Sequence, residues 1–141
     1  VVGCGKRWDK ISYFYKEKKY NEMAELIGSY ECTVDAKGRA SLPAVFKKAL
    51  LPVLEKGFVL KRSVFNTCLE LYTIDGWKSV MKDVNKLNRF KKENMVFIRA
   101  FTAGLKPIEI DAAGRLLLPK DLMDFASISK DIVMNVSTKN I

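Results

Sequence analysis

The chain has 141 residues, 48% of them hydrophobic and 11% aromatic, with a formal net charge of +9 and no histidine. That length and apolar content fit one domain, or two small lobes sharing a core, and argue against disorder of the whole chain. The missing histidine removes Ser-His-Asp and Cys-His nucleophile chemistry and the commonest metal ligand, so an enzyme built on this sequence would have to work with Asp, Glu, Lys or Arg.

Residues 1–22 stand apart from the rest of the chain, with six basic and three acidic side chains and with Trp8, Tyr13, Phe14, Tyr15 and Tyr20 set among Lys16, Lys18 and Lys19. They read as an N-terminal extension, an appended arm whose aromatics and bases either stack on nucleic acid or pack. No apolar run reaches membrane-spanning length and the first 30 residues lack signal-peptide regions, so a cytoplasmic protein with no membrane partner is expected. Cys4, Cys32 and Cys68 are odd in number, far apart and outside any CxxC, which predicts reduced thiols, with Cys32 and Cys68 as core residues.

The stretch VDAKGRASLP, residues 34–43, returns 76 residues later as IDAAGRLLLP, residues 110–119. The same offset brings Gly28 onto Gly104, Cys32 onto Ile108, Val34 onto Ile110 and Phe46 onto Leu122, so the repeat is structural as well as chemical. Apolar residues alternate ahead of each motif, as in a half-buried strand. Asp opening a turn and Gly three positions on predict hairpin tips over Asp35–Gly38 and Asp111–Gly114, with Arg39 and Arg115 at the root of the returning strand. Pro43 and Pro119 suit a first helical turn, predicting helices over Ala44–Leu50 and Lys120–Phe125.

Between the repeats, Phe58–Arg62 and Cys68–Thr73 read as strands, and Asp75 as the cap of a helix carrying Trp77, Val80, Met81, Val84 and Leu87. A second helix over Lys91–Thr102 groups Met95, Ile98 and Phe101 on one side and leaves Lys91, Lys92 and Arg99 on the other. Residues 133–141 give a last strand and a brief tail. The chain therefore divides into an extension (1–22), a first repeat (23–75), connecting helices (76–103) and a second repeat (104–141). Two units too small to bury their own faces would pack about a local two-fold axis into one pseudo-symmetric barrel, mostly β with flanking helices.

The basic excess lies in the middle, where residues 57–103 hold nine basic and four acidic side chains. It suits a polyanion such as DNA. Arg39 and Arg115 are suited to the same partner, since a guanidinium grips phosphate or reads guanine bidentately and Asp35 or Asp111 four residues earlier can hold it in place. Each tip also has a purely architectural reading, in which Asp caps the turn, Gly38 or Gly114 supplies the backbone and Arg pairs with Asp. Lys37 adds charge to the first tip that no turn requires; the second tip has Ala113 there. A rival reading takes Asp35 and Asp111 as an acid and base dyad of a hydrolase, although each has an Arg nearby that would keep it ionised.

GSYECTVDAKGRASLP with its echo IEIDAAGRLLLP resembles the MraZ family, whose members carry two SpoVT/AbrB-type repeats, and the likeness runs from about Leu26 to Val136. The resemblance implies a double-split, swapped-hairpin, AbrB-like β-barrel made from both repeats. It implies a cytoplasmic, nucleoid-associated transcription regulator that is not an enzyme, needs no cofactor, metal or small-molecule substrate, and binds repeated boxes of double-stranded promoter DNA upstream of the division and cell-wall genes. It implies a homo-oligomer in a closed ring. Carried onto this chain, the DNA-binding positions are Asp35, Lys37, Arg39, Asp111 and Arg115, with Gly38, Gly114, Pro43 and Pro119 as turn and framework residues. Ala113 makes the first tip the expected better reader, and a ring-forming scaffold for a protein partner remains the alternative.

Overall fold

The structure, a computed structural model, describes residues 2–4, 12–14 and 29–135. Trp8, Tyr15, Tyr20, Lys16, Lys18 and Lys19 of the extension, Gly28, and the tail after Asn135 lie outside the described residues. Nine strands occur among those described: β1 (Val2–Cys4), β2 (Ser12–Phe14), β3 (Ser29–Thr33), β4 (Arg39–Ser41), β5 (Phe58–Arg62), β6 (Cys68–Thr73), β7 (Lys106–Ile108), β8 (Arg115–Leu117) and β9 (Asp131–Asn135). The helices are α1 (Ala44–Leu50), α2 (Ile74–Val84), α3 (Lys92–Thr102) and α4 (Lys120–Phe125), with a 3-10 turn at Leu51–Lys56. No helix among the described residues is long and apolar enough to cross a membrane.

The strands pair between repeats. β3 of the first repeat lies antiparallel to β9 of the second, and β7 of the second lies antiparallel to β5 of the first. β4 and β8, the strands that return from the two tips, pair with each other, as Arg39 opposite Leu117, Ala40 opposite Leu116 and Ser41 opposite Arg115. Each tip closes back on its own incoming strand through a single bridge, Val34 to Ala40 and Ile110 to Leu116. The result is a seven-stranded sheet running β3-β9-β1-β6-β5-β7, with β2 beside β6, and a separate two-stranded ribbon. The strand-built architecture with flanking helices is as expected, but these pairings make two sheets and no closed barrel among the described residues.

Burial explains the exchange. Alternation puts Ala40, Leu42, Leu116 and Leu118 on one side, where all four are at most 4% exposed, and Phe46 and Leu122 from the two helices close over them. Both repeats contribute to this layer, which draws Val34, Ala40, Leu42 and Phe46 from the first and Leu116, Leu118 and Leu122 from the second. The two short segments of the extension join the large sheet, β1 between β9 and β6 and β2 parallel to β6.

Several local expectations move slightly. Pro43 and Pro119 sit one residue before their helices, at the cap position with extended ψ of 147° and 138°, where a fixed φ still aims the chain into the first turn. Thr73, not Asp75, caps α2: its Oγ1 accepts a hydrogen bond from Gly76 N at 3.0 Å, while Asp75 lies in the first turn and pairs with Lys56 at 2.9 Å. Leu87 falls beyond the end of α2. Cys32 and Cys68 are both buried, and burial pushes the Cys32 thiol up to about 11.

Candidate nucleic-acid interface

The two tips are built alike, atom for atom. In the first, Asp35 Oδ1 accepts from the backbone N–H groups of Lys37 and Arg39, both at 2.9 Å, and Oδ2 accepts from Arg39 Nε at 2.7 Å. In the second, Asp111 Oδ1 accepts from Ala113 N at 3.0 Å and Arg115 N at 2.9 Å, and Oδ2 from Arg115 Nε at 2.8 Å. Gly38 and Gly114 donate back to the Asp35 and Asp111 carbonyls from φ of 80° and 74°, the left-handed region that only glycine enters cheaply. One carboxylate thus fixes both the turn and the first bond of the guanidinium.

This geometry dissolves the choice between an Arg that pairs with Asp and an Arg that faces a partner. A guanidinium has five N–H donors, and among the described residues only Nε–H of each side chain is engaged. The terminal nitrogens make no hydrogen bond among the described residues, and the side chains of Arg39 and Arg115 are 32% and 36% exposed. The backbone N–H of Arg39 first, then its side chain and Lys37 N–H, hold the Asp35 carboxyl below the usual range; Arg115 and Ala113 do the same for Asp111. Each carboxylate is held ionised by its own arginine, which argues against an Asp35–Asp111 dyad sharing a proton.

Register then brings the tips together. Residues directly opposite across an antiparallel pair share a face, so Arg39, Ser41, Arg115 and Leu117 all stand on the side of the ribbon away from buried Ala40 and Leu116. Two residues of strand rise and one inter-strand step place the Arg39 and Arg115 Cα atoms about 8 Å apart. Ser41 and Leu117 are exposed between them, Leu117 by 58%. Lys37 is exposed at the first tip, and Lys91, Lys92 and Arg99 are exposed on the connecting helices.

A second polar cluster was not foreseen. Lys61 on β5 is fully buried, bonded at 2.9 Å to Glu70 Oε2 on β6, which also accepts from the Tyr72 hydroxyl at 2.8 Å. Lys61 Nζ also lies 4.2 Å from the centre of the Phe101 ring, which stacks on Trp77, tying α2 and α3 to the sheet. The available signal was one charge inside each of two adjacent apolar strands, FVLKR and CLELYT, placed so that antiparallel pairing sets them opposite each other.

A sequence model described as "MraZ protein, putative antitoxin-like" matches residues 26–100 and 101–141. A protein of Christiangramia forsetii named "Transcriptional regulator MraZ" is 58% identical over 113 residues, covering 80% of this chain and 73% of its own length. Its namesake in Flavobacterium psychrophilum is 58% identical over 113 residues, with 80% and 72% covered. That of Cytophaga hutchinsonii is 44% identical over 112 residues, with 79% and 74% covered.

Proposed function

The chain belongs to the MraZ family, and from that membership we propose that it regulates transcription by binding double-stranded DNA through the β4–β8 ribbon. The observation that carries this reading is the pair of arginines on one face of a two-stranded ribbon, each held at Nε by its own aspartate and, among the described residues, unbonded at its terminal nitrogens. The major groove of B-DNA admits a two-stranded β-ribbon, and an arginine presenting a free fork there reads guanine O6 and N7. Leu117 between them suits a thymine methyl. Lys37 adds a phosphate contact at the first tip, and Asp35 and Asp111 act by orienting the arginines.

Exchange of strands between the repeats, with β4 against β8, supports the double-split, swapped-hairpin barrel as the complete form of the fold. In the cell the protein would be cytoplasmic and associated with the nucleoid. It would be a homo-oligomeric ring without catalytic activity, bound to tandem boxes ahead of the division and cell-wall genes. A ring presents one ribbon per subunit, so weak contacts to spaced boxes add through effective concentration.

The test is a mobility shift with duplex from the region upstream of the protein's own gene, comparing one box with several. Tight binding to several boxes that weakens steeply with salt and is lost in Arg39→Ala supports the regulator. Equal affinity for one box and several removes the multivalent ring, and indifference to both salt and Arg39→Ala leaves only a scaffold.

A further inference from the structure

The two tips differ in sequence at one position that matters for charge, Lys37 in the first and Ala113 in the second. The fold answers this difference from across the pseudo-two-fold axis. Lys47 on α1 lies against the second tip: a Cβ built on Gly114 would stand 2.6 Å from Lys47 Cδ and 3.0 Å from Cγ, and would also meet Cε. At the symmetry-related place, Met123 of α4 lies against the first tip, its Sδ 3.2 Å from a Cβ built on Gly38. Lys47 and Met123 are 76 residues apart, the offset of the repeat. Each tip is therefore roofed by the helix of the other repeat, and the roof is apolar where the tip holds a lysine and basic where the tip holds an alanine.

The lysine stem does what the methionine does, covering a glycine that has no side chain of its own. Its ammonium is left over. Lys47 Nζ makes no hydrogen bond or ion pair among the described residues, although Glu55, Glu109 and Asp111 line the same cleft; Asp111 is committed to Arg115. A lysine whose stem packs on protein and whose head has no partner holds that head toward water, as a point charge for a phosphate.

We propose that Lys47, carried by the first repeat, supplies the phosphate contact of the second tip. Each tip then offers one Lys and one Arg, Lys37 with Arg39 and Lys47 with Arg115, and the second tip is as competent a DNA contact as the first. This rests on the DNA-binding reading above.

The experiment measures affinity for the upstream duplex, and for a scrambled duplex, across a salt series. Lys47→Met copies the roof of the other tip and is expected to lower the salt slope by about 0.9 for each second tip engaged, for both duplexes alike. Adding Ala113→Lys to Lys47→Met should restore the slope, since the charge returns to the tip by the route the first repeat uses. Lys48→Met, the same loss of charge at the exposed neighbouring position, should change it less. Equal loss in the Lys47 and Lys48 variants, no loss in Lys47→Met, or no rescue by Ala113→Lys each overturns the assignment. Lys47→Leu takes the place of Lys47→Met if thermal melting shows that variant unfolded. Wild-type protein that ignores the upstream duplex sinks the DNA reading itself, whereas wild-type binding with an unchanged Lys47→Met slope sinks Lys47 alone.

Discussion

Ala40 and Leu116 lie directly opposite one another on β4 and β8, and neither has any surface left to solvent. This contact joins the two repeats at the residues where each tip also bridges to its own incoming strand. Small against large lets the two strands approach while Leu42, Leu118, Phe46 and Leu122 close the layer around them. Leu116→Ala would leave two facing alanines and a cavity on the axis, and the loss expected is about 2–5 kcal/mol in chemical denaturation. A change under about 1 kcal/mol would mean the seam is not a main support of the fold.

Arg39→Lys separates grip from charge. Lysine keeps the positive end but has neither the Nε–H that Asp35 holds at 2.7 Å nor a planar fork. Discrimination between the box sequence and scrambled duplex should fall by roughly 10- to 100-fold, the worth of one bidentate base contact, while the salt slope stays nearly unchanged. If discrimination survives and the slope alone changes, Arg39 is a phosphate contact and base reading lies elsewhere.

The tips were legible because their determinants are local. Asp35 needs only the N–H groups two and four residues ahead, and Gly38 only its own φ, so sequence spacing carries the whole geometry. The strands Phe58–Arg62 and Cys68–Thr73 and the helices Ala44–Leu50 and Lys120–Phe125 were likewise written in short periodic runs. Partners were not. The expected hairpin roots are present, each as a single bridge, but alternation tells only which side of β4 is buried and not that β8 lies along its other edge, so the ribbon across the two repeats was not foreseen. Lys47 against Gly114 was hidden for the same reason, since it depends on a contact between segments that only the assembled chain brings together.

The tips should also have a signature in pH. The Arg39 backbone N–H is the largest influence holding Asp35 below its ordinary 3.8, ahead of the guanidinium. In Arg39→Ala, a carboxyl carbon titration by NMR should therefore show Asp35 moving up yet staying below that value, because the backbone donor survives the substitution. A carboxyl depressed on folding stabilises the native state above its unfolded pKa, and that contribution is lost as pH falls through the folded value. Asp35 and Asp111 thus favour folding from neutral pH down to about pH 4 and release it in acid. An Asp35 that titrates at its ordinary value in the wild-type protein would mean the turn is not held by this carboxylate in solution.

Lys61 offers the sharpest test of the core, because removing it reverses a sign. In the wild-type chain burial pulls Glu70 upward, but the Lys61 ammonium and the Tyr72 and Ser63 hydrogen bonds outweigh it and hold Glu70 below the ordinary 4.5. Glu70 then favours folding above that pH and ceases to as acid protonates it. Lys61→Met keeps the stem against Phe101 but strips the cation from a carboxylate whose side chain is 13% exposed, and such a loss costs about 3–5 kcal/mol at neutral pH. Only the Tyr72 and Ser63 hydrogen bonds are then left to offset burial, the largest influence on Glu70, so its folded pKa is expected to rise above its unfolded value. The variant loses stability as pH climbs through that raised pKa, where the wild type does not. Urea melts on either side of 4.5 should thus show the variant gaining on the wild type in acid, and adding Glu70→Gln should recover part of the neutral-pH loss. Parallel pH profiles for Lys61→Met and the wild type would show that the pair is not closed in solution and that water, not Lys61, solvates Glu70.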